Sequence, residues 1–129
     1  MQKRQLGNLG ERIAENYLKN KGYQILDRNY FFKSFRGPLR GEIDIIAQKN
    51  GIISFIEVKT LIGRDRVSII SPEEKVDFGK QRKLRKTAES WLMKKKIPLN
   101  SKWQIDVISV KIEKGKAKVN HFENAISDL

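Results

Sequence analysis

Apolar residues near the start of the chain recur at three- and four-residue steps: Leu6, Leu9, Ile13 and Tyr17, with Ala14 and Leu18 beside them. That spacing lays them along one stripe of a helix over residues 5–20, and Gly22 supplies a C-terminal stop. Tyr23–Phe32 is rich in aromatic and large aliphatic residues and reads as a strand. Lys33–Gly41, with Gly37-Pro38 inside it, is a basic loop. Two further strands, Glu42–Gln48 and Ile52–Thr60, flank Lys49-Asn50-Gly51. Asn-Gly between β-branched runs predicts a two-residue hairpin with a type I′ turn. Leu61–Val76 is a loop carrying Gly63, Arg64, Arg66 and Pro72. A second helix is predicted from Asp77 to Lys96, with the stripe Leu84, Ala88, Trp91 and Leu92, ending before Pro98. Trp103–Ile112 alternates as a strand, and Lys116–Phe122 is a shorter one after the Lys114-Gly115 turn. The order is α-β-β-β-α-β-β, without repeats or linkers.

Composition narrows this. A chain of 129 residues, 39% hydrophobic, fits a single domain over 1–129. There is no cysteine, which excludes disulfide scaffolds, thiolate zinc sites and cysteine nucleophiles. No apolar run approaches the roughly 20 residues of a membrane span, and Met1-Gln2-Lys3-Arg4-Gln5 leads into an amphipathic pattern instead of a signal peptide. The expectation is a cytoplasmic protein with no membrane partner. Lys and Arg number 27 against 15 acids, a net charge of +12. Such a field attracts polyanions, nucleic acid foremost.

The acids draw attention because they are few and clustered. Counting back from an Asn50-Gly51 turn sets Asp44 opposite Glu57 and Glu42 opposite Lys59. Side chains alternate along strands, so Glu42, Asp44 and Ile46 share a face with Phe55, Glu57 and Lys59. Two carboxylates forced together on a partly apolar face raise a pKa or demand a cation. Mg²⁺ takes hard oxygen ligands of this kind, and with Lys59 alongside the group suits phosphodiester hydrolysis. The same residues also fit a surface ladder in which Lys59 neutralises Glu42 and Glu57. Glu11, at the border of the first helix's apolar face with Gly7 and Ala14 about a turn away on either side, is a third acid in reach. Small neighbours there let the helix approach other backbone closely. On the second helix Lys80, Arg82, Lys83, Arg85 and Lys86 crowd together and repel; a phosphate backbone offsets that, as does plain solvation. Gln81 sits among them. Arg36, Arg40, Arg64 and Arg66 put further cations on the two loops.

Gly10-Glu11, Arg28-Asn29, Gly41-Glu42-Ile43-Asp44-Ile45-Ile46-Ala47, Phe55-Ile56-Glu57-Val58-Lys59 and Lys80-Gln81 stand in an order and spacing that resembles the YraN family of bacterial proteins. By that resemblance the chain is similar to the PD-(D/E)xK, or restriction-endonuclease-like, superfamily and to its Holliday-junction resolvases. The resemblance implies an α/β fold, an α-β-β-β-α-β core with a central mixed sheet flanked by helices. It implies Asp44 and Glu57 as ligands of Mg²⁺ or Mn²⁺ with Glu11 as an accessory acid, Lys59 as the catalytic lysine, and Gln81 as a helix-borne contributor. Leu61 departs from the arginine that often follows that lysine, and the loop at Phe31–Arg40 is longer than usual. The expected partner is nucleic acid, DNA preferred, and cutting at junctions would favour a homodimer. A non-catalytic nucleic-acid-binding module on the same fold remains the alternative, and a protein- or ribosome-associated basic domain a third.

His121, the one histidine, reads as a surface or packing residue, Trp91 as a core residue, Trp103 as a packing residue with base stacking as the alternative, and Asp106 as the structural partner of a basic side chain.

Overall fold

The computed structural model describes residues 2–35, 37–63 and 78–126. Their elements follow the anticipated order: α1 (Lys3–Asn20), β1 (Gln24–Lys33), β2 (Arg40–Lys49), β3 (Ile52–Ile62), α2 (Phe78–Lys94), β4 (Trp103–Glu113) and β5 (Lys116–Phe122). The strands form one sheet in the order β1-β2-β3-β4-β5. β3 and β4 run parallel and the other neighbours antiparallel. The connection from β3 to β4 passes through α2, as a parallel pair requires a crossover. This is a mixed α/β sheet with the α-β-β-β-α-β order of a restriction-endonuclease-like core. Among the described residues no helix is long and apolar enough to cross a membrane.

Each helix covers one face. Ala14 and Leu18 of α1 pack with Ile45, Ala47, Ile56, Ile108 and Val110. Leu84, Ala88, Trp91 and Leu92 of α2 pack with Ile43, Ile46, Ile53, Phe55 and Ile105. The sheet is therefore buried on both sides, which accounts for the nearly unbroken apolar runs in β2 to β4. Trp91 is a core residue: its ring meets Phe55 edge-on at 5.7 Å between centroids, and its indole N–H donates to Asp27 Oδ2 at 3.0 Å. Trp103 meets Phe55 from the other side at 5.6 Å, so both indoles are packing groups.

The β2–β3 turn has positive φ at both Asn50 (53°) and Gly51 (77°), as a type I′ turn demands. The expected register holds from Lys49↔Ile52 to Ile45↔Ile56. Beyond that point the expected Asp44–Glu57 and Glu42–Lys59 ladder pairs do not form. Asp44 instead turns its carboxylate to the backbone of β3, while Glu57 and Lys59 keep the parallel pairing with β4 that runs along the other edge of β3. The facing of β2 changes at this point. Ile43 packs under α2 and Ile45 under α1, although residues two apart should share a face. The alternation breaks at Asp44. Across from it in β1, between the Arg28↔Ile45 and Tyr30↔Ile43 pairs, Asn29 takes φ 48°, a left-handed conformation that asparagine tolerates better than most residues.

Candidate metal and nucleic-acid site

The break in β2 puts Asp44 where two clefts meet. The first, about 470 Å³, lies against α1 and includes Glu11, Arg12, Glu15, Arg28 and Asn29 with Asp44. The second, about 630 Å³, lies against α2 and includes Arg40, Glu42, Asp44, Glu57, Lys80 and Lys83. Asp44 is thus the residue common to both.

Two glycines let the helices close on this end of the sheet. A Cβ on Gly10 would lie 1.9 Å from Thr60 Oγ1, so α1 rests directly on β3 one residue before Glu11. A Cβ on Gly41 would lie 1.9 Å from Thr87 Oγ1 and 3.2 Å from the Lys83 carbonyl oxygen, so α2 rests on β2 one residue before Glu42. The close-approach glycine of α1 is Gly10, not Gly7, whose Cβ would meet nothing. On the first cleft's rim Arg28 Nη2 donates to Glu15 Oε2 at 3.0 Å, tying α1 to β1.

Within the site, Asp44 Oδ2 accepts the Val58 N–H at 2.7 Å. Burial pushes the Asp44 carboxyl up to about 7; the bond from Val58 opposes this, while Glu57, Glu11 and Glu42 add to it. Glu11 is also raised, by burial first and then by Glu42 and Glu57. Glu57 is held by two ammonium groups: Lys80 Nζ lies 2.9 Å and Lys59 Nζ 3.6 Å from Glu57 Oε1. Burial lowers the Lys59 pKa, and Lys80 lowers it further, against the pull of Glu57. For Lys80 burial acts the same way but is outweighed, chiefly by Glu57, and its pKa rises.

Carboxylates gathered around a half-buried Asp44 whose charge they disfavour are a donor set suited to a hard divalent cation. Asp44 and Glu57 could hold Mg²⁺ or Mn²⁺, with Glu11 approaching from α1. Their oxygens are not drawn together to ligand spacing. Among the described residues, the group whose ligand atoms all lie within 4.8 Å of one another is Asp106, His121 and Glu123. One ion shared by all three of Glu11, Asp44 and Glu57 would therefore require their oxygens to draw closer together.

Of the basic residues singled out from the sequence, Arg40, Lys80 and Lys83 line the second cleft. Arg82 and Lys86 are exposed on α2; Arg85 and Gln81 are half-buried there. Arg36, Arg64 and Arg66 lie outside the described residues. The sequence reading gave Lys80 a phosphate and missed its contact with Glu57. No local pattern marked that contact, because it depends on how α2 seats across the sheet.

Asp106 and His121 of this group lie inside the fold, and Glu123 is exposed beside them. Asp106 is fully buried. Its Oδ2 pairs with His121 Nε2 at 2.7 Å, and its Oδ1 accepts Gln104 Nε2 and the Asn124 N–H, each at 2.9 Å. Tyr17 of α1 meets the His121 ring edge-on at 5.7 Å. Asp106 is thus the partner of a basic side chain, and His121 a packing residue. Extending the Ile108↔His121 and Val107↔Phe122 register by one residue sets Asp106 opposite Glu123, so the grouping could have been read from the Lys114-Gly115 turn.

A family model described as "Uncharacterised protein family UPF0102" matches residues 10–110. The chain belongs to the UPF0102 family. This is the YraN family to which the ordered motifs pointed, and the matched span runs from Gly10, where α1 meets β3, to the end of the buried part of β4. A UPF0102 protein of Alkaliphilus oremlandii is 43% identical over 124 residues, covering 95% of this chain and 97% of its own length. One from Clostridium tetani is 48% identical over 94 residues, 73% of this chain and 70% of that protein. One from Clostridium botulinum (strain Loch Maree) is 48% identical over 105 residues, 81% and 78% respectively. The names of these UPF0102 relatives carry no activity.

Proposed function

We propose that this chain is a nucleic-acid-binding, divalent-metal-dependent endonuclease that cleaves phosphodiester bonds, DNA being the preferred substrate. The observation that carries the reading is one cleft in which Asp44 and Glu57 lie with Arg40, Lys80 and Lys83. Carboxylates suit a hard cation, and the cations around them suit the phosphate that such an ion would engage.

Asp44 and Glu57 would hold Mg²⁺ or Mn²⁺, which would supply Lewis acidity toward a phosphoryl oxygen. Glu11 adds negative charge from the α1 side. Lys59, whose Nζ lies 3.6 Å from Glu57 Oε1, is suited to orient an attacking water and to offset charge developing on the phosphoryl oxygens. Lys80 orients Glu57 through Oε1. Arg40 and Lys83, then Arg82, Arg85 and Lys86 along α2, position the strand, and Gln81 extends that contact. Positioning is a large share of what such a site contributes, since little covalent chemistry falls to the protein.

A second reading, a binding module without chemistry, is favoured by one contact: Glu57 already has two ammonium partners and needs no ion to be neutral. The two separate on Asp44→Ala, assayed with branched, single-stranded and linear duplex DNA in Mn²⁺ or EDTA. The nuclease reading expects wild-type product only with Mn²⁺, a fall of about a hundredfold or more in the variant, and little change in DNA affinity. Equal turnover by the variant would remove Asp44 from the mechanism. Tight binding by the wild type with no divalent-dependent product would leave the binding module.

A further inference from the structure

The β1–β2 hairpin continues past the cleft as an arm whose tip the proposed chemistry does not use. Its register pairs Phe31 with Glu42 and Lys33 with Arg40. Directly paired residues share a face, and residues two apart repeat it. Phe31, Lys33, Arg40 and Glu42 therefore lie on one side of the arm. The Ser34 N–H donates to the Leu39 carbonyl at 2.8 Å and closes the tip, where Phe35 is 98% exposed. Phe31, further down, is 57% exposed.

Neither aromatic is explained by the core. A ring left this far in water adds nothing to folding, and Phe35 stands where hairpin loops usually place polar residues and glycine. The cations are just as unresolved. Lys33 and Arg40 face each other across the ladder, and among the described residues neither has an ion-pair partner. Like charges so opposed are unfavourable, and an anion lying between them reverses the sign. The arm leads straight into the candidate site, since Arg40 and Glu42 line the cleft with Asp44. Four residues of strand, about 13 Å, separate Arg40 from Asp44.

We infer that Phe35 is a stacking platform for an unpaired nucleobase, with Lys33 and Arg40 on the adjoining phosphates. A flat apolar ring flanked by cations matches the alternation of base face and phosphate along a single strand. In continuous duplex each base already stacks on its neighbours and offers no open face. The substrate class of the cleft is then nucleic acid with single-stranded or branch-point bases beside the scissile bond. An anionic membrane fits less well, because seating the arm on one would bring Glu42 and its neighbouring carboxylates against like charge. The inference rests on the nucleic-acid-binding part of the proposed function and not on cleavage.

The test is binding in EDTA, with 2-aminopurine placed either in a single-stranded gap or within a fully paired duplex. Phe35→Ala and Phe35→Trp change a side chain that is 98% exposed, so both should fold as the wild type does. The wild type is expected to prefer gapped DNA and to quench its 2-aminopurine. Phe35→Ala should lose affinity for gapped DNA by about five- to a hundredfold, lose the quench, and change little toward duplex; Phe35→Trp should restore both. Equal affinity and quenching in Phe35→Ala would overturn the inference. So would unchanged DNA binding combined with a Phe35-dependent affinity for vesicles of anionic phospholipid, which would make the arm a membrane contact. Wild-type protein that binds no DNA would overturn this inference and the nuclease reading together. Phe35-dependent binding without any cleavage in Mn²⁺ would overturn only the latter.

Discussion

Asp44 gives one carboxylate oxygen to the Val58 N–H while burial, Glu57, Glu11 and Glu42 all disfavour its charge. The consequence for stability has a definite sign. An aspartate ordinarily near 3.8 but held at about 7 keeps its proton in the folded chain at pH values where the unfolded chain has lost it. The folded state binds more protons between those limits, so stability falls as pH rises through the window. Below pH 4 Asp44 is neutral in both states and the penalty vanishes; above pH 7 it is complete. The shift corresponds to at most about 4 kcal/mol, and water at this half-buried group leaves about 1–2 kcal/mol of that. An asparagine side chain in its place would accept the same Val58 N–H without ionising. Asp44→Asn should therefore raise Tm at pH 8 and leave it nearly unchanged at pH 4, as scanning calorimetry would record. Mn²⁺ at pH 8 should raise Tm of the wild type and not of the variant. A variant less stable than wild type at pH 8 in EDTA would mean that Asp44 is compensated by other charges.

The site's geometry is set by how closely two helices sit on the sheet, and at Gly41 α2 leaves no room for a Cβ. Adding a methyl there puts carbon 1.9 Å from Thr87 Oγ1 and 3.2 Å from both Thr87 Cβ and the Lys83 carbonyl oxygen. Thr87 has little freedom to turn, since its hydroxyl donates to the Lys83 carbonyl at 2.6 Å. Gly41→Ala should cost about 1–3 kcal/mol, seen as a lower urea midpoint with an unchanged slope. Thr87→Ala in the same chain should recover part of it by removing Oγ1. This contact also shows what the sequence could convey. Helix stripes and the Asn50-Gly51 turn were legible because local periodicity and turn chemistry decide them. The ladder could be extrapolated only to Ile45↔Ile56, because the break at Asp44 depends on Asn29 in another strand and on both helices competing for neighbouring isoleucines. Gly10 and Gly41 were visible within motifs, but the partners that make them necessary, Thr60 and Thr87, are distant in sequence. Asp44, Glu57, Lys59 and Glu11 could be chosen from hairpin counting and family resemblance. The contact of Lys80 with Glu57 could not, since it needs the seating of α2 across the sheet.

For the whole molecule, a charge of +12 raises affinity for any polyanion, and position distinguishes a binding face from a merely basic surface. α2 lies over β1 and β2, whereas β5 forms the far edge of the sheet. Each region carries three exposed cations suited to a matched comparison: Arg82, Lys83 and Lys86 on α2, and Lys114, Lys116 and Lys118 at the β5 edge. Lys80 is left out because it holds Glu57. Replacing either trio by alanine lowers the net charge by the same amount, so a purely global attraction predicts equal losses. A nucleic-acid track along the cleft predicts unequal ones. Each phosphate contact contributes about 0.9 to the slope of log affinity against log salt on duplex DNA, and about 0.7 on single strands. The α2 variant should therefore flatten that slope by about two to three, and the β5 variant should leave it nearly unchanged. The lysines at the β5 edge have a separate use, since charge there discourages pairing with another strand. Losing them should promote association at high protein concentration, measurable by light scattering, while the salt slope for DNA stays as it was. Identical slopes for the two variants would place the phosphate contacts somewhere other than α2, and the cleft would lose its strand-binding wall.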